Sequence, residues 1–268
     1  MSSAAEPLLG ALSLEPAQLS LVLGVVAAIL AGTVVQSAVG FGMGLVSVTT
    51  MLWLGLELPQ AVCLMLGGAL LQCGYGLYLG REHIDRRLSL GMALFQYLGV
   101  IAGVMSMAWL VSTGAAVVKQ VVGLFILIAL VVQLSFRPTP RERYGFGLSA
   151  LVGLISGYLG GLVGIGGPPL MLYALAHSWE RDRTRVFMWA QFFLVIPVIG
   201  VALVLRFGPE LLAWLAGGFA LLPVLVLGTR IGLRLTQRWS AEQLRKFAIV
   251  LLLLISVSSI ASPWLSAS

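Results

Sequence analysis

Two glycine-rich stretches are the places where residue type and spacing in this sequence could do chemistry. They are Gly40-Phe41-Gly42-Met43-Gly44 and Gly164-Ile165-Gly166-Gly167-Pro168-Pro169. Glycine reaches positive φ and lets another group approach the main chain closely. Proline is favoured in the first turn of a helix, so Pro168 or Pro169 predicts a helix running toward His177. A helix start leaves several N–H groups unpaired and carries partial positive charge. Such an end binds an anion without any basic side chain. If residues 44–55 form the equivalent short helix after the first cluster, two such ends converge. The competing reading is that the glycines only let helices pack closely, as in small-xxx-small interfaces.

Polar residues beside the clusters are the candidate ligands. Gln36 and Ser37 lead because they immediately precede Gly40, and Gln191 lies in the segment after the second short helix. The predicted substrate-binding set is Gln36, Ser37, Gly40, Gly42, Gly44, Ser47, Gly164, Gly166, Gly167, Pro168 and Gln191. Thr49, Gln72, Ser156 and Tyr158 are further polar groups in apolar runs. For each, a helix–helix hydrogen bond competes with a place on a pathway. His177 sits between a short helix and a basic loop, where interfacial capping competes with proton relay or gating. His83 reads as a solvated loop residue, and Arg230 and Arg234 as side chains snorkelling to headgroups. Trp53, Trp109, Trp214 and Trp264 read as interfacial anchors. Cys63 and Cys73 are ten residues apart, about 15 Å along a helix, too far for a disulfide. No histidine pair completes a metal site with them, so no metal and no cofactor is expected. Paired intramembrane carboxylates, HExxH, Ser–Lys and Ser–His arrangements and a P-loop are all missing, and no soluble strand–turn–helix exists for a nucleotide. An enzyme is not expected.

The elements that position these residues must be membrane helices. The 268 residues are 59% hydrophobic and 10% charged, with a mean hydropathy of +1.03; soluble domains carry about 25% charge. Residues 16–56, 58–80, 88–118, 144–179, 186–205, 211–229 and 247–268 hold no Asp, Glu, Lys or Arg. A helix needs about 20 apolar residues to cross a bilayer. Apolar segments fall at about 19–38, 44–55, 59–80, 88–110, 117–136, 145–163, 168–177, 186–206, 211–233 and 246–265. Two of these, 44–55 and 168–177, are too short to span, and each follows a glycine cluster. They read as half-helices or re-entrant segments, tolerated at membrane depth only where the freed backbone is buried or lines a cavity.

Charge sets the expected orientation. The net charge is +6, and 14 of 16 basic residues sit in four loops: Arg81–Arg87, Arg137–Arg143, Arg181–Arg185 and Arg230–Lys246. This is topology control rather than nucleic acid binding, and it places those loops in the cytoplasm and both termini in the periplasm. No basic residue precedes the first apolar run, so no cleavable signal peptide is expected. The glycine clusters align at an offset of 124 residues, and Gly99-x-x-x-Gly103 aligns later with Gly228-x-x-x-Gly232. The chain therefore reads as a short polar tail, 1–18, and two membrane repeats, 19–137 and 138–268. The first begins outside and the second inside. The expected fold is all-α, a polytopic membrane protein of two inverted-topology repeats, the construction of many secondary transporters.

The stretch QSAVGFGMGL at Gln36–Leu45, with REHIDRR at Arg81–Arg87, resembles the first half of the TauE/SafE family of sulfite exporters. GYLGGLVGIGGPPLMLY at Gly157–Tyr173, followed by Arg183–Phe193, resembles that family's second half. Many relatives carry three successive glycines where this chain has Gly166-Gly167-Pro168-Pro169. The resemblance covers nearly the whole chain and implies a bacterial inner-membrane secondary transporter for export, or else uptake, of small anions such as sulfite, organosulfonates or related carboxylates, with export the expected direction. Its partners would be the anionic substrate, the lipid bilayer and, through protonated substrate or His177, a proton; a homo-oligomer is compatible with it. An anion channel and a non-transporting membrane scaffold are the other readings.

Overall fold

The uncharged runs fold as helices. The computed structural model describes residues 16–135, 145–239, 243, 250, 253, 254 and 256–261. The first half holds α1 (Pro16–Val39), α2 (Met43–Trp53), α3 (Leu58–Leu79), a 3₁₀ turn at Arg81–His83, α4 (Arg86–Ser112) and α5 (Ala115–Ser135). The second holds α6 (Phe146–Val163), α7 (Gly167–Leu175), α8 (Arg181–Phe207), α9 (Leu211–Ala220) and α10 (Leu222–Arg238). Helix α1 starts at Pro16, three residues inside the segment read as tail. Residues 1–15, Arg137, Arg141, Arg143, Arg245, Lys246 and Trp264 lie outside the described residues.

Six of these helices, α1, α3, α4, α5, α6 and α8, are long and apolar enough to cross a membrane. Helices α9 and α10 together make a seventh, bent by 55°. The sequence suggests one continuous segment there, 211–233. Pro223 lies in the first turn of α10, where its missing N–H costs nothing, but its ring clashes with a helical carbonyl four residues earlier. The break follows.

The packing pattern agrees with a lipid surround. On α4, Leu90, Leu94, Leu98, Ile101, Met105 and Trp109 recur every three or four residues and are each 56–70% exposed. The opposite face, with Met92, Gln96, Val100, Val104 and Met107, is buried. A contiguous apolar stripe of that kind is a liability in water and an ordinary surface in hydrocarbon. Polar caps mark the turns between helices. Asp85 Oδ1 accepts the Leu88 N–H at 3.1 Å to start α4, and Glu57 with Gln60 forms a capping box at the start of α3. The protein is an all-α polytopic membrane protein.

Contacts fix how the short helices run. Ser47 Oγ on α2 donates to the Ala28 carbonyl of α1 at 2.9 Å, and Gly24 faces Leu54, so α2 doubles back along α1. Ser156 Oγ on α6 donates to the Gly166 carbonyl at 2.7 Å, and the Ser149 and Tyr173 hydroxyls bond at 2.8 Å. Helix α7 therefore doubles back along α6. The Gly-x-x-x-Gly pairs serve close packing: Gly99 and Gly103 of α4 press on the α6 backbone at Leu154 and Tyr158, while Gly228 and Gly232 of α10 press on α1 at Thr33 and Val34. A Cβ at Gly99 or Gly103 would overlap a main-chain carbonyl.

Candidate functional site

The two glycine clusters meet at one cavity. Gly40, Gly42 and Gly164 hold φ of 96°, 116° and 73°, a left-handed region that residues with a Cβ rarely adopt. These conformations end α1 and α6 and let α2 and α7 start in the opposite sense. The cavity, about 50 Å³, is lined by Gly42 and Gly44 at the start of α2 and by Gly164, Gly166, Gly167 and Pro168 at the start of α7. Gln36 of α1 and Ser156 of α6 add side-chain polar groups. Met65 and Leu66 of α3 with Phe192, Val195, Ile196 and Ile199 of α8 form the apolar wall. A single water needs about 10–15 Å³ by this measure, so the space is on the scale of a small ion with a few waters. The halves touch directly: a Cβ on Gly44 would collide with the Gly164 carbonyl, and one on Gly167 would sit 3.0 Å from a Phe41 ring carbon.

The two helix starts differ in what they offer. In α2 the Val46 N–H closes the first helical bond to the Gly42 carbonyl at 3.0 Å, which leaves the Met43, Gly44 and Leu45 N–H groups outside the helical ladder. No side chain caps them. In α7 Gly166 and Gly167 carry N–H groups, but Pro168 and Pro169 carry none, and no side chain caps this end either. Both dipoles point their positive ends at the cavity; α2 brings more donors.

Amide networks hold the flanking side chains. Gln36 Nε2 donates to Gln72 Oε1 at 3.1 Å, and Gln72 Nε2 donates to Ser37 Oγ at 2.7 Å and to the Thr33 carbonyl at 3.1 Å. Around the second cluster, Gln96 Nε2 donates to Ser156 Oγ at 3.2 Å. Of the predicted site residues, Gln36, Gly42, Gly44, Gly164, Gly166, Gly167 and Pro168 come together on the cavity. The others lie elsewhere. Ser37 is spent on Gln72, Ser47 on Ala28, and Gly40 faces Arg185, whose Cα would lie 3.7 Å from a Cβ added at Gly40. Gln191 is buried between α8 and α4, its Nε2 3.5 Å from the Ser89 carbonyl. Thr49 bonds back to the Leu45 carbonyl, and the Tyr158 hydroxyl donates to Ser106. His177 is buried beyond α7, its Nδ1 2.8 Å from the Tyr173 carbonyl and its ring stacked 4.3 Å from Trp179. His83 is exposed in the 3₁₀ turn. Sequence reasoning missed the apolar wall and Gln96. The wall leaves a weak signal, Phe192, Ile196 and Ile199 at helical spacing on one face of α8; Gln96 is a polar residue stranded in an uncharged run.

Among the described residues no group of His, Cys, Asp and Glu could hold a metal ion, and both cysteines are buried and free. A helical membrane bundle with a small, uncharged, backbone-lined cavity at broken helices is the build of a transporter for small solutes. The chain belongs to the sulfite exporter TauE/SafE family, whose model matches residues 24–259. It is 26% identical over 238 residues to the probable sulfite/organosulfonate exporter TauE of Cupriavidus necator, covering 88% of this chain and 92% of that protein. No solved structure matches it. The protein is thus a membrane transporter of a small-anion family.

Proposed function

We propose that the chain is a secondary transporter that exports sulfite, an organosulfonate or a related small sulfur or carboxylate anion through the cavity between α2 and α7. The observation that carries this reading is the convergence of two uncapped helix starts on one cavity with no Lys or Arg in its lining. A helix end supplies about half an elementary charge, so two ends together suit a monoanion or a partly hydrated dianion. Gln36 and Ser156 add neutral polar groups, and the greater donor supply of α2 makes it the main partner for the anion. Ser37 and Ser47 then act on the site through packing, and Gln191 holds α8 to α4 without bearing on the anion.

The two halves act as inverted repeats, each a helix, a short helix that doubles back, and further spans. The antiparallel pairs α1–α2 and α6–α7 support this, as does the direct contact between the two clusters at Gly44 and the Gly164 carbonyl. Alternating access follows by rocking one bundle about the cavity. With 14 basic residues clustered in four short stretches at helix ends and the connections between them, both termini face the periplasm.

The test is sided flux in proteoliposomes of the purified chain, with sulfite, methanesulfonate and acetate as probes. Saturable flux at carrier rates for at least one anion, and none for a neutral isostere, is expected. Current far above carrier turnover would establish a channel instead, and no flux or binding of any probe would leave a scaffold.

A further inference from the structure

The arginine-rich end of the bundle holds a second, wider cavity apart from the central one. A cavity of about 280 Å³ opens between the end of α3, the 3₁₀ turn and the start of α8. It continues into a second of about 540 Å³ toward the end of α10, and the two share Asp182, Arg185 and Leu233. Arg185 is the deep cation: its side chain is 17% exposed, whereas its partner Asp182 is 65% exposed. Glu82, Glu180 and His83 are also exposed at the rim. An i,i+3 pair with a solvated carboxylate is weak, so Asp182 is an exchangeable partner for the guanidinium.

A second observation points to a missing acceptor. Trp189 lines the same cavity, is 3% exposed, and its indole N–H has no hydrogen-bond partner among the described residues. Such a donor is costly to leave unpaired. The Arg185 guanidinium lies 5.6 Å from the Trp189 ring centre. The same side of α8 then continues through Phe192 and Ile196 into the central cavity. Eleven residues separate Arg185 from Ile196, about 16 Å along the helix. Arg185 also packs against Gly40, where α1 breaks.

We propose that this vestibule is a loading site for the oxyanion head of the transported anion. Arg185 releases Asp182 and takes a pair of sulfite or sulfonate oxygens, the geometry guanidinium favours, while Trp189 supplies the further N–H as its ring shifts. Asp182 is the built-in competitor. The proposal rests on the small-anion reading of the central cavity, so its test separates the two. In the purified full-length Gly166→Leu variant, whose central cavity is filled, titration calorimetry with anaerobic sodium sulfite still detects a site. Adding Arg185→Gln weakens that site about tenfold or more, Trp189→Phe weakens it less, and Asp182→Asn tightens it. Arg183→Gln removes the same charge from the same first turn of α8, but Arg183 faces Asp85 and Trp179, and the variant leaves the affinity within about twofold. Loss of all binding in folded Gly166→Leu protein, or equal effects of the Arg183 and Arg185 variants, overturns the vestibule. If Gly166→Leu does not fold, sided flux decides: Arg185→Gln raises KM for sulfite about tenfold at the arginine-rich face alone, with kcat unchanged. An unchanged KM overturns the proposal. Absence of flux from the wild type would sink the transport reading, while the titration would still decide the vestibule.

Discussion

Gly44 and Gly166 are the residues on which the proposed anion site depends most directly. Gly44 abuts the Gly164 carbonyl, and a Cβ at Gly166 would sit 2.7 Å from the Ser156 carbonyl. Overpacking of this kind costs about 1–3 kcal/mol. Gly166→Leu is therefore expected to abolish anion flux while protein remains in the membrane, and normal flux at equal expression would remove α7 from the site. Gln36→Ala, which opens the polar wall, is expected to weaken anion binding by about 1 kcal/mol or more in titration calorimetry. Gln191→Ala, away from the lining, is expected to leave affinity unchanged and to lower thermal stability instead. How much of this was legible follows the same residues. The glycine clusters announced themselves, because only a backbone that must turn at membrane depth concentrates glycine and proline there. Gln36 led Gln191 in sequence only by its place before Gly40, since both are amides in apolar helices; which one faces the cavity depends on helix rotation, and that is set by neighbours far along the chain. The donor difference between α2 and α7 was readable from Pro168 and Pro169, and it appears once both helix starts are known.

At the scale of the element, glycine spacing on α4 and α10 sets how closely helices approach. Lipid gives no hydrophobic driving force between helices, so packing of small residues carries the association. Gly103→Leu is expected to lower the melting temperature in detergent by an amount matching several kcal/mol, because it meets the Tyr158 carbonyl and the backbone cannot yield cheaply. Leu98→Ala, on the exposed stripe of the same helix at 59%, is expected to change stability by less than about 0.5 kcal/mol. Equal losses in thermal unfolding would mean that α4 is held by something other than its glycine face. The spans themselves were plain from the uncharged runs, since hydropathy alone defines a crossing helix. The 55° break between α9 and α10 was not, although Pro223 stood in the run, because a proline that kinks a helix and one that starts a new helix look alike without the neighbouring geometry.

Across the whole molecule, charge and topology make one joint prediction. If the four basic loops face the cytoplasm, a reporter fused after Ser268 works only in the periplasm, as does one fused before Met1. A C-terminal reporter active in the cytoplasm would overturn that orientation. The arginine-rich vestibule would then open to the periplasm.

The cross-packing of α4 on α6 and of α10 on α1 also bears on how the protein is made. Helix α1 leaves the ribosome first, yet the glycine face that closes on it, Gly228 and Gly232, is almost the last to be translated. Until then α1 waits in the bilayer with Thr33 and Val34 uncovered, and α4 waits for α6. Among the described residues each glycine face closes on the other half, so a half made alone is an open shell and a target for membrane quality control. Residues 1–137 and 138–268, produced as separate chains in one cell, should rescue each other from degradation, whereas either alone should be cleared.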